Sequence, residues 1–231
     1  MNLMKKILLI VLFSVQMGNA QAVENFYNLK LKVDSSNVPT QFQHYFPKEM
    51  FPELNIKRTK TEDGFKMVTT IIEDTFNEDV SNWYSQHLYV MKEPLLFNGE
   101  TKKEIYRFTW LRTFHNPIAI RIERINSQYY LYWKRLSGAG GYEPGNLIEE
   151  KSRELTKLEW QTFENHLEKV EFWKMPLGRS PLGFDGSEWI LEGRTPTDYR
   201  AVTVWSPKRG NFYNLGNYLL FLTGLTVKEK Y

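Results

Sequence analysis

Three stretches of the chain carry apolar residues every three or four positions, the spacing of a helix with one buried face. The first covers about residues 79–92, and Pro94 follows as a stop signal. The second starts at a capping box formed by Thr156 and Glu159. The third covers about residues 212–223. The apolar stripes consist of Val80, Trp83, Tyr84, His87, Leu88 and Met91, then Trp160, Phe163, Leu167 and Val170, then Phe212, Leu215, Leu219 and Leu222, with Gly224 suited to end the third helix.

Elsewhere apolar and polar residues alternate, which is typical of β-strands with two different faces. Short turns separate most of these runs, and strands joined by short turns pair antiparallel. The sequence therefore predicts an α+β fold in which an antiparallel meander sheet is packed by about three helices. The predicted strands cover residues 23–33, 54–58, 65–72, 106–113, 118–123, 129–136, about 147–155, 187–193 and a partner strand ending at Trp205, with Glu62-Asp63-Gly64 as a hairpin turn.

The first 22 residues have the pattern of a secretory signal peptide. Lys5 and Lys6 precede an apolar run over residues 7–15, and Ala20-Gln21-Ala22 matches the small-residue cleavage pattern. The run is well short of the ~20 residues that a membrane-spanning helix needs, so we expect no membrane anchor. We expect a soluble periplasmic or secreted protein, with residues 23–98 as an N-terminal αβ subdomain that need not be separate. Residues 99–231 are expected to form a C-terminal α+β domain.

Composition limits the possible functions. The chain has no cysteine, so its stability must come from its core rather than from disulfides. The net charge of +3 includes Lys5 and Lys6, which leaves +1 for the mature chain, with 28 basic and 27 acidic residues. No extended Lys/Arg run is present, which disfavours nucleic-acid binding. The four histidines lack metal-ligand spacing, so neither a metal nor another cofactor is expected.

Two glutamates on one face of the predicted strand at residues 187–193 invite comparison with a glycosidase. Glu188 and Glu192 lie roughly 13 Å apart in a strand that rises ~3.3 Å per residue. Paired glycosidase carboxylates are only about 5–9.5 Å apart, so this pair does not fit. A turn centred on Pro196 instead places Glu192 opposite Arg200, as a cross-strand ion pair. The residues expected to have a structural role are Trp189, Glu192, Arg200 and Trp205.

If any histidine performs acid–base chemistry, His115 is the best candidate. His115 and Asn116 lie at the mouth of a predicted hairpin. A hydrolase would combine His115 with Asp185 and Glu188, together with Arg121, and would need these groups to converge. The alternative role of His115, Asn116 and Asp185 is to form turns.

A glycine-rich loop at residues 137–145 is the next candidate. It contains four glycines but lacks the Lys-Ser/Thr of a phosphate-binding P-loop. The loop is consistent with a mobile connection that needs positive φ angles. A loop that presents Tyr142 and Glu143 to a partner is equally consistent. Aromatic residues on both faces of the strand at residues 129–133 leave a similar choice between a covered second face and a partner-binding surface.

Four motifs follow one another in the C-terminal half: Thr-Phe-His-Asn-Pro at residues 113–117, the glycine-rich loop, Asp-Gly-x-x-Trp-x-Leu-Glu-Gly at residues 185–193, and Trp-Ser-Pro at residues 205–207. Together they resemble a widespread set of small bacterial proteins with no assigned function. The resemblance covers about residues 106–225 and implies a shared fold, but it identifies no catalytic residue. Many of those proteins have an arginine where this chain has Val204. If that arginine pairs with the glutamate that corresponds to Glu188, the pair is lost here.

The sequence favours an exported binding protein over an enzyme. We expect it to bind another macromolecule of the cell envelope, for example as a toxin-neutralising, immunity-type protein. The alternatives are an envelope-associated hydrolase and a small-molecule binding protein with a pocket between sheet and helix. A pocket lined by polar groups would favour these alternatives. The candidate binding or functional residues are His115, Asn116, Arg121, Tyr142, Glu143, Asp185 and Glu188.

Overall fold

The structure is a computed structural model that describes residues 31–61, 64–73, 75–177 and 185–227. The predicted signal peptide, most of the predicted strand at residues 23–33 and the turn residues Glu62 and Asp63 lie outside the described residues. The helices and strands are β1 (Glu53–Thr61), β2 (Gly64–Ile72), α1 (Glu78–Val90), β3 (Glu104–Arg112), β4 (Ile118–Ile125), β5 (Gln128–Leu136), β6 (Leu147–Glu154), α2 (Lys157–Val170), β7 (Ser187–Arg194), β8 (Tyr199–Trp205) and α3 (Asn211–Thr223).

The strands form two antiparallel sheets. Six of them are arranged in the order β6-β5-β4-β3-β7-β8, and β1 pairs only with β2 in a separate hairpin. The predicted α+β fold is therefore confirmed, as is the capping box at the start of α2. No helix in the described part of the chain is both long and apolar enough to cross a membrane.

One face of the six-stranded sheet is apolar. Helices α2 and α3 pack on it, and their stripe residues Phe163 and Leu219 are almost completely buried. The helices lie close to the sheet because α3 presents Gly216 to the ring of Trp189. A Cβ atom at Gly216 would lie 2.2 Å from Cζ3 of Trp189. The sheet residues of this apolar face are Tyr106, Phe108, Trp110, Ile118, Ile120, Ile122, Leu131, Trp133, Trp189, Leu191 and Val202.

The opposite face of the sheet, here called the charged face, is also covered. Helix α1 and the segments at residues 45–51 and 91–97 pack against Leu111 and Ile190 on this face. The predicted N-terminal subdomain thus shares a hydrophobic cluster with the six-stranded sheet. The charged residues of this face that are buried as whole residues are Arg107, Glu123, Lys134, Glu188 and Glu192. Arg121 and Arg194 of the same face are half-buried.

The predicted pairing within the β7–β8 hairpin is wrong by one residue. Glu192 lies opposite Ala201, and Arg200 lies opposite Gly193. The loop spans four residues rather than centring on Pro196, because the Thr195 N–H donates to the Asp198 carbonyl at 2.9 Å. A one-residue shift moves a side chain to the other face. The predicted Glu192–Arg200 ion pair therefore does not form, and Arg200 instead donates to the carbonyl of Met175.

Candidate functional site

Most of the predicted site residues lie at one end of the six-stranded sheet. His115 and Asn116 are half-buried in the turn between β3 and β4. The Thr113 N–H donates to the carbonyl of Gly186 at 2.9 Å, which extends the β3–β7 pairing by one residue. Asp185 therefore lies at this same end, where it is exposed and has a φ of 45°.

Two of the hydrolase candidates lie in other environments. Glu188 is completely buried in β7, opposite Leu111 on the charged face. The Arg121 guanidinium lies further along that face and is ion-paired with Glu93. The side chains of Asp185, Glu188 and Arg121 thus occupy an exposed turn, a buried strand and a buried ion cluster respectively.

The glycine-rich loop is held against α1 and β3. The Trp83 indole N–H donates to the Gly140 carbonyl at 2.6 Å, and the Gly140 N–H donates to the His115 carbonyl at 2.9 Å. A Cβ atom at Gly140 would lie 2.5 Å from the backbone nitrogen of Arg112. Of the four loop glycines only Gly145 has a positive φ, so close packing explains the others better than the expected need for positive φ.

The same loop carries an exposed aromatic pair. Tyr142 and Phe114 are 59% and 57% exposed, and their ring centroids lie 6.1 Å apart. The loop backbone beneath Tyr142 is fixed by Gln86 of α1, whose side-chain amide donates to the Tyr142 carbonyl at 3.2 Å. Glu143 is exposed beside them.

A buried ion cluster occupies the charged face and was not predicted from the sequence. Two nitrogens of Arg107 contact one carboxylate oxygen of Glu192, with Nε at 2.7 Å and Nη2 at 2.5 Å. The Tyr199 hydroxyl donates to the other oxygen of Glu192 at 3.0 Å. A third nitrogen of Arg107 donates to the Pro94 carbonyl at 2.6 Å. Local alternation does not reveal these contacts because Arg107 and Glu192 are 85 residues apart.

Glu93 completes the cluster from above the sheet. Its carboxylate contacts the Arg121 Nε at 2.9 Å and the Lys134 Nζ at 3.3 Å. Burial raises the pKa of Glu93, but the charges of Arg121, Lys134 and Arg107 outweigh burial and hold the pKa below its ordinary value. These contacts attach the segment at residues 91–97 to the sheet.

The net pKa shift of Glu192 is opposite in direction to that of Glu93. It raises the pKa of Glu192, and the contacts with Arg107 and Tyr199 offset this effect only in part. Each charge of the cluster has a partner of opposite sign, so its first role is to join the N-terminal segment to the sheet rather than to present a free reactive group.

A polar cleft of about 700 Å³ opens beside the ion cluster. Its floor is the charged face, and its walls are the segments at residues 34–38 and 92–101. Arg121 is the one predicted candidate residue among the cleft-lining residues. Its guanidinium lies over the Tyr132 ring, 4.4 Å from the centroid.

The β1–β2 hairpin, here called the arm, projects from the body. Every residue of β1 except Leu54 is exposed. No other described helix or strand packs extensively against either arm strand. The exposed apolar residues of the arm are Ile56, Val68, Ile71 and Ile72, with exposed fractions of 45%, 40%, 65% and 41%.

The base of the arm is fixed. Phe51, just before β1, is completely buried in the cluster under α1. Its carbonyl accepts the N–H of Asn77 at 2.7 Å, and the side chain of Asn77 caps α1. The Glu53 N–H donates to the Thr75 hydroxyl at 2.8 Å. The two ends of the arm therefore leave the body side by side from a rigid base.

Comparison with known proteins adds no assignment. No protein-family model and no curated protein matches the chain. The resemblance in the C-terminal half therefore stays a prediction. Among the residues that the structure describes, no group of three or more His, Asp or Glu side chains is arranged to hold a metal ion.

Proposed function

We propose that the chain is an exported protein that binds another protein of the cell envelope through its arm. The observation that carries this proposal is the combination of an exposed hairpin with a base built into the core. Export is supported by the signal-peptide pattern of residues 1–22.

The physics of isolated hairpins supports a binding role. A two-stranded hairpin without packing is marginally stable in water, and its outer edges offer backbone hydrogen-bonding groups to another strand. A partner that adds a strand to such an edge satisfies those groups and covers apolar side chains at the same time. On one face of the arm, Leu54 lies directly opposite Ile71, and Ile56 lies two residues further from the base, opposite Thr69.

The basic residues of the arm strands favour an acidic partner that pairs along a strand edge. The two strands carry Lys57, Arg58, Lys60 and Lys66 against Glu53, a net charge of +3, and the acidic pair Glu62-Asp63 between them lowers the charge of residues 53–72 to +1. A second copy would bring two such charges together, so pairing between two arms is disfavoured. An acidic protein surface or strand would be attracted, with faster association at low salt.

A toxin-neutralising, immunity-type protein is one concrete form of this proposal. Such a role requires tight contact with one protein partner in the envelope. The exposed pair Phe114 and Tyr142 offers a second aromatic surface on a loop that is also fixed to the body. This aromatic surface is an alternative binding site for the partner, so an experiment must distinguish binding through it from binding through the arm.

Site-specific photocrosslinking in cells tests the proposal. A photoreactive residue is placed singly at Ile71 in the arm, at Tyr142 in the loop and at Phe221 on α3, which is 76% exposed and serves as the matched control. We expect one discrete crosslinked protein from Ile71 and none from Phe221. Crosslinking from Tyr142 or Phe221 without crosslinking from Ile71 would contradict arm-mediated binding.

Charge reversal then tests the expected acidic character of the partner. Lys57→Glu with Lys66→Glu is compared with Lys169→Glu on the exposed side of α2. We expect the arm double variant to lose the Ile71 crosslink and the α2 variant to keep it. An unchanged yield in the arm variant would show that the partner is not recognised through its negative charge.

A further inference from the structure

The polar cleft beside the ion cluster has more cations than anions. Its lining includes three acids, Asp34, Glu100 and Glu123. The lining residues have a positive excess of two charges, and Glu93, which pairs with Arg121 and Lys134 from behind, lowers this excess to one. A concave site focuses the field of such an excess on a bound ligand. The lining cations are Lys92, Lys103, Arg121, Lys134 and Arg194.

The cations differ in how firmly they are held. Arg121 and Lys134 have side chains that are only 11% and 8% exposed, and both are ion-paired with Glu93. The Lys103 side chain is 45% exposed, and its Nζ lies 3.0 Å from Glu123. The floor of the cleft therefore consists of fixed, ion-paired cations, and Lys103 is a cation that solvent still reaches.

The contact with Glu123 does not fully stabilise the protonated amine of Lys103. Burial and the nearby Arg121 guanidinium lower the pKa of Lys103. An anion in the cleft would offset both effects, because it would stabilise the protonated amine and screen the two cations from each other.

The geometry also suits an organic anion rather than a bare ion. A volume of about 700 Å³ is typical of a small-molecule site. The Tyr132 ring is held by the Arg121 guanidinium and lines the cleft together with Ile105 and Leu96. These side chains offer an apolar wall next to the charged floor.

We propose that this cleft binds a small organic molecule with two or more negative charges, such as a polycarboxylate or a phosphorylated compound. Lys103 would contact one anionic group directly, and Lys92 and Arg194 would meet a second group at the rim. Arg121 and Lys134 would act as positioning residues that fix the floor through their contacts with Glu93 and the Tyr132 ring. The proposal is independent of arm-mediated binding, because the cleft and the arm share no lining residue.

Isothermal titration of the purified chain with citrate and with inorganic pyrophosphate tests the proposal. The two probes separate carboxylate from phosphate recognition, and sodium chloride keeps the ionic strength constant. We expect saturable binding of at least one probe with a 1:1 stoichiometry. Lys103→Gln should weaken this binding about tenfold or more, the loss expected for one charge-assisted hydrogen bond.

Lys169→Gln is the matched control, because it removes one exposed lysine of α2, which packs on the face of the sheet opposite the cleft. Its affinity should equal that of the wild type, and both variants should remain cooperatively folded at the titration temperature, which their melting curves check. If neither probe binds saturably, or if Lys169→Gln weakens binding as much as Lys103→Gln, the proposed site is overturned.

Discussion

Arg107 and Glu192 form an ion pair between the neighbouring strands β3 and β7, and both side chains are completely buried. Removing one partner leaves the other charge buried without compensation, which typically costs about 3–5 kcal/mol. We therefore expect Arg107→Leu and Glu192→Leu each to lower the free energy of unfolding by about that amount. Chemical denaturation followed by tryptophan fluorescence measures both changes.

The double variant distinguishes the pair from general loss of packing. With both charges removed, the cost should be clearly smaller than the sum of the two single costs. Strictly additive costs would show that Arg107 and Glu192 stabilise the protein independently. Such a result would contradict the role assigned to the ion cluster.

We predict that position 216 requires glycine, because the Trp189 ring leaves no room for a side chain there. Alanine normally stabilises a helix interior by about 1 kcal/mol relative to glycine. Here a Cβ atom would lie 2.2 Å from the Trp189 ring, so Gly216→Ala should instead destabilise by about 1–3 kcal/mol. Asn214→Ala, at an exposed position of the same helix, should be neutral or slightly stabilising. Thermal denaturation of the two variants compares them, and a stabilised Gly216→Ala would contradict the close packing of α3.

The capping box of α2 predicts a specific loss of stability in acid. Hydrogen bonds from Arg153 and Thr156 lower the pKa of Glu159 from 4.5 to about 2. A folded-state pKa below the unfolded value means that the stabilisation is complete above about pH 4.5 and is lost as the pH falls toward 2. Solvent screens part of this interaction, so we expect Glu159→Gln to cost about 1 kcal/mol at pH 7.

Urea denaturation across this pH range checks the prediction. The gap between wild type and Glu159→Gln should close as the pH approaches 2. Glu168→Gln, at an exposed position on the same helix, should follow the wild-type curve throughout. A gap that is constant between pH 7 and pH 2 would mean that the Glu159 charge does not support the helix.

The arm should be removable without unfolding the body. Its ends are joined by the hydrogen bond between Phe51 and Asn77, and the two core clusters contain none of its described strand residues. Replacing residues 53–72 with a short Gly-Ser linker should therefore change the free energy of unfolding by less than about 1 kcal/mol, because short surface loops close at small entropic cost. A loss of cooperative unfolding in denaturant would show that the arm belongs to the folding core.

Local pattern was sufficient to predict the elements of the fold. The helix stripes, the capping box and the arm strands depend on residues within one element or one hairpin, so periodicity and turn signals locate them. The predicted register between β7 and β8 was wrong by one residue. A difference of one residue in the length of the loop changes every cross-strand pair of the hairpin.

The contacts between segments that are distant in sequence could not be inferred from local sequence patterns. Alternation assigned Trp189 and Glu192 to opposite faces of β7, as observed. It did not show that the second face is covered by the N-terminal segment, or that Arg107 would neutralise Glu192 there. For the same reason the cleft was not predicted, since its walls and floor come from residues 34–38, 92–103 and the strands β3, β4, β5 and β7.

The central claim is that the arm binds an acidic protein. The most direct measurement is the dissociation constant between the purified chain and the protein crosslinked through Ile71, for wild type and for the arm-deleted variant, at low and high salt. We predict that wild-type binding weakens as salt rises and that arm deletion weakens it by at least about 100-fold, which is on the order of 3 kcal/mol. Binding that survives arm deletion unchanged would contradict the account.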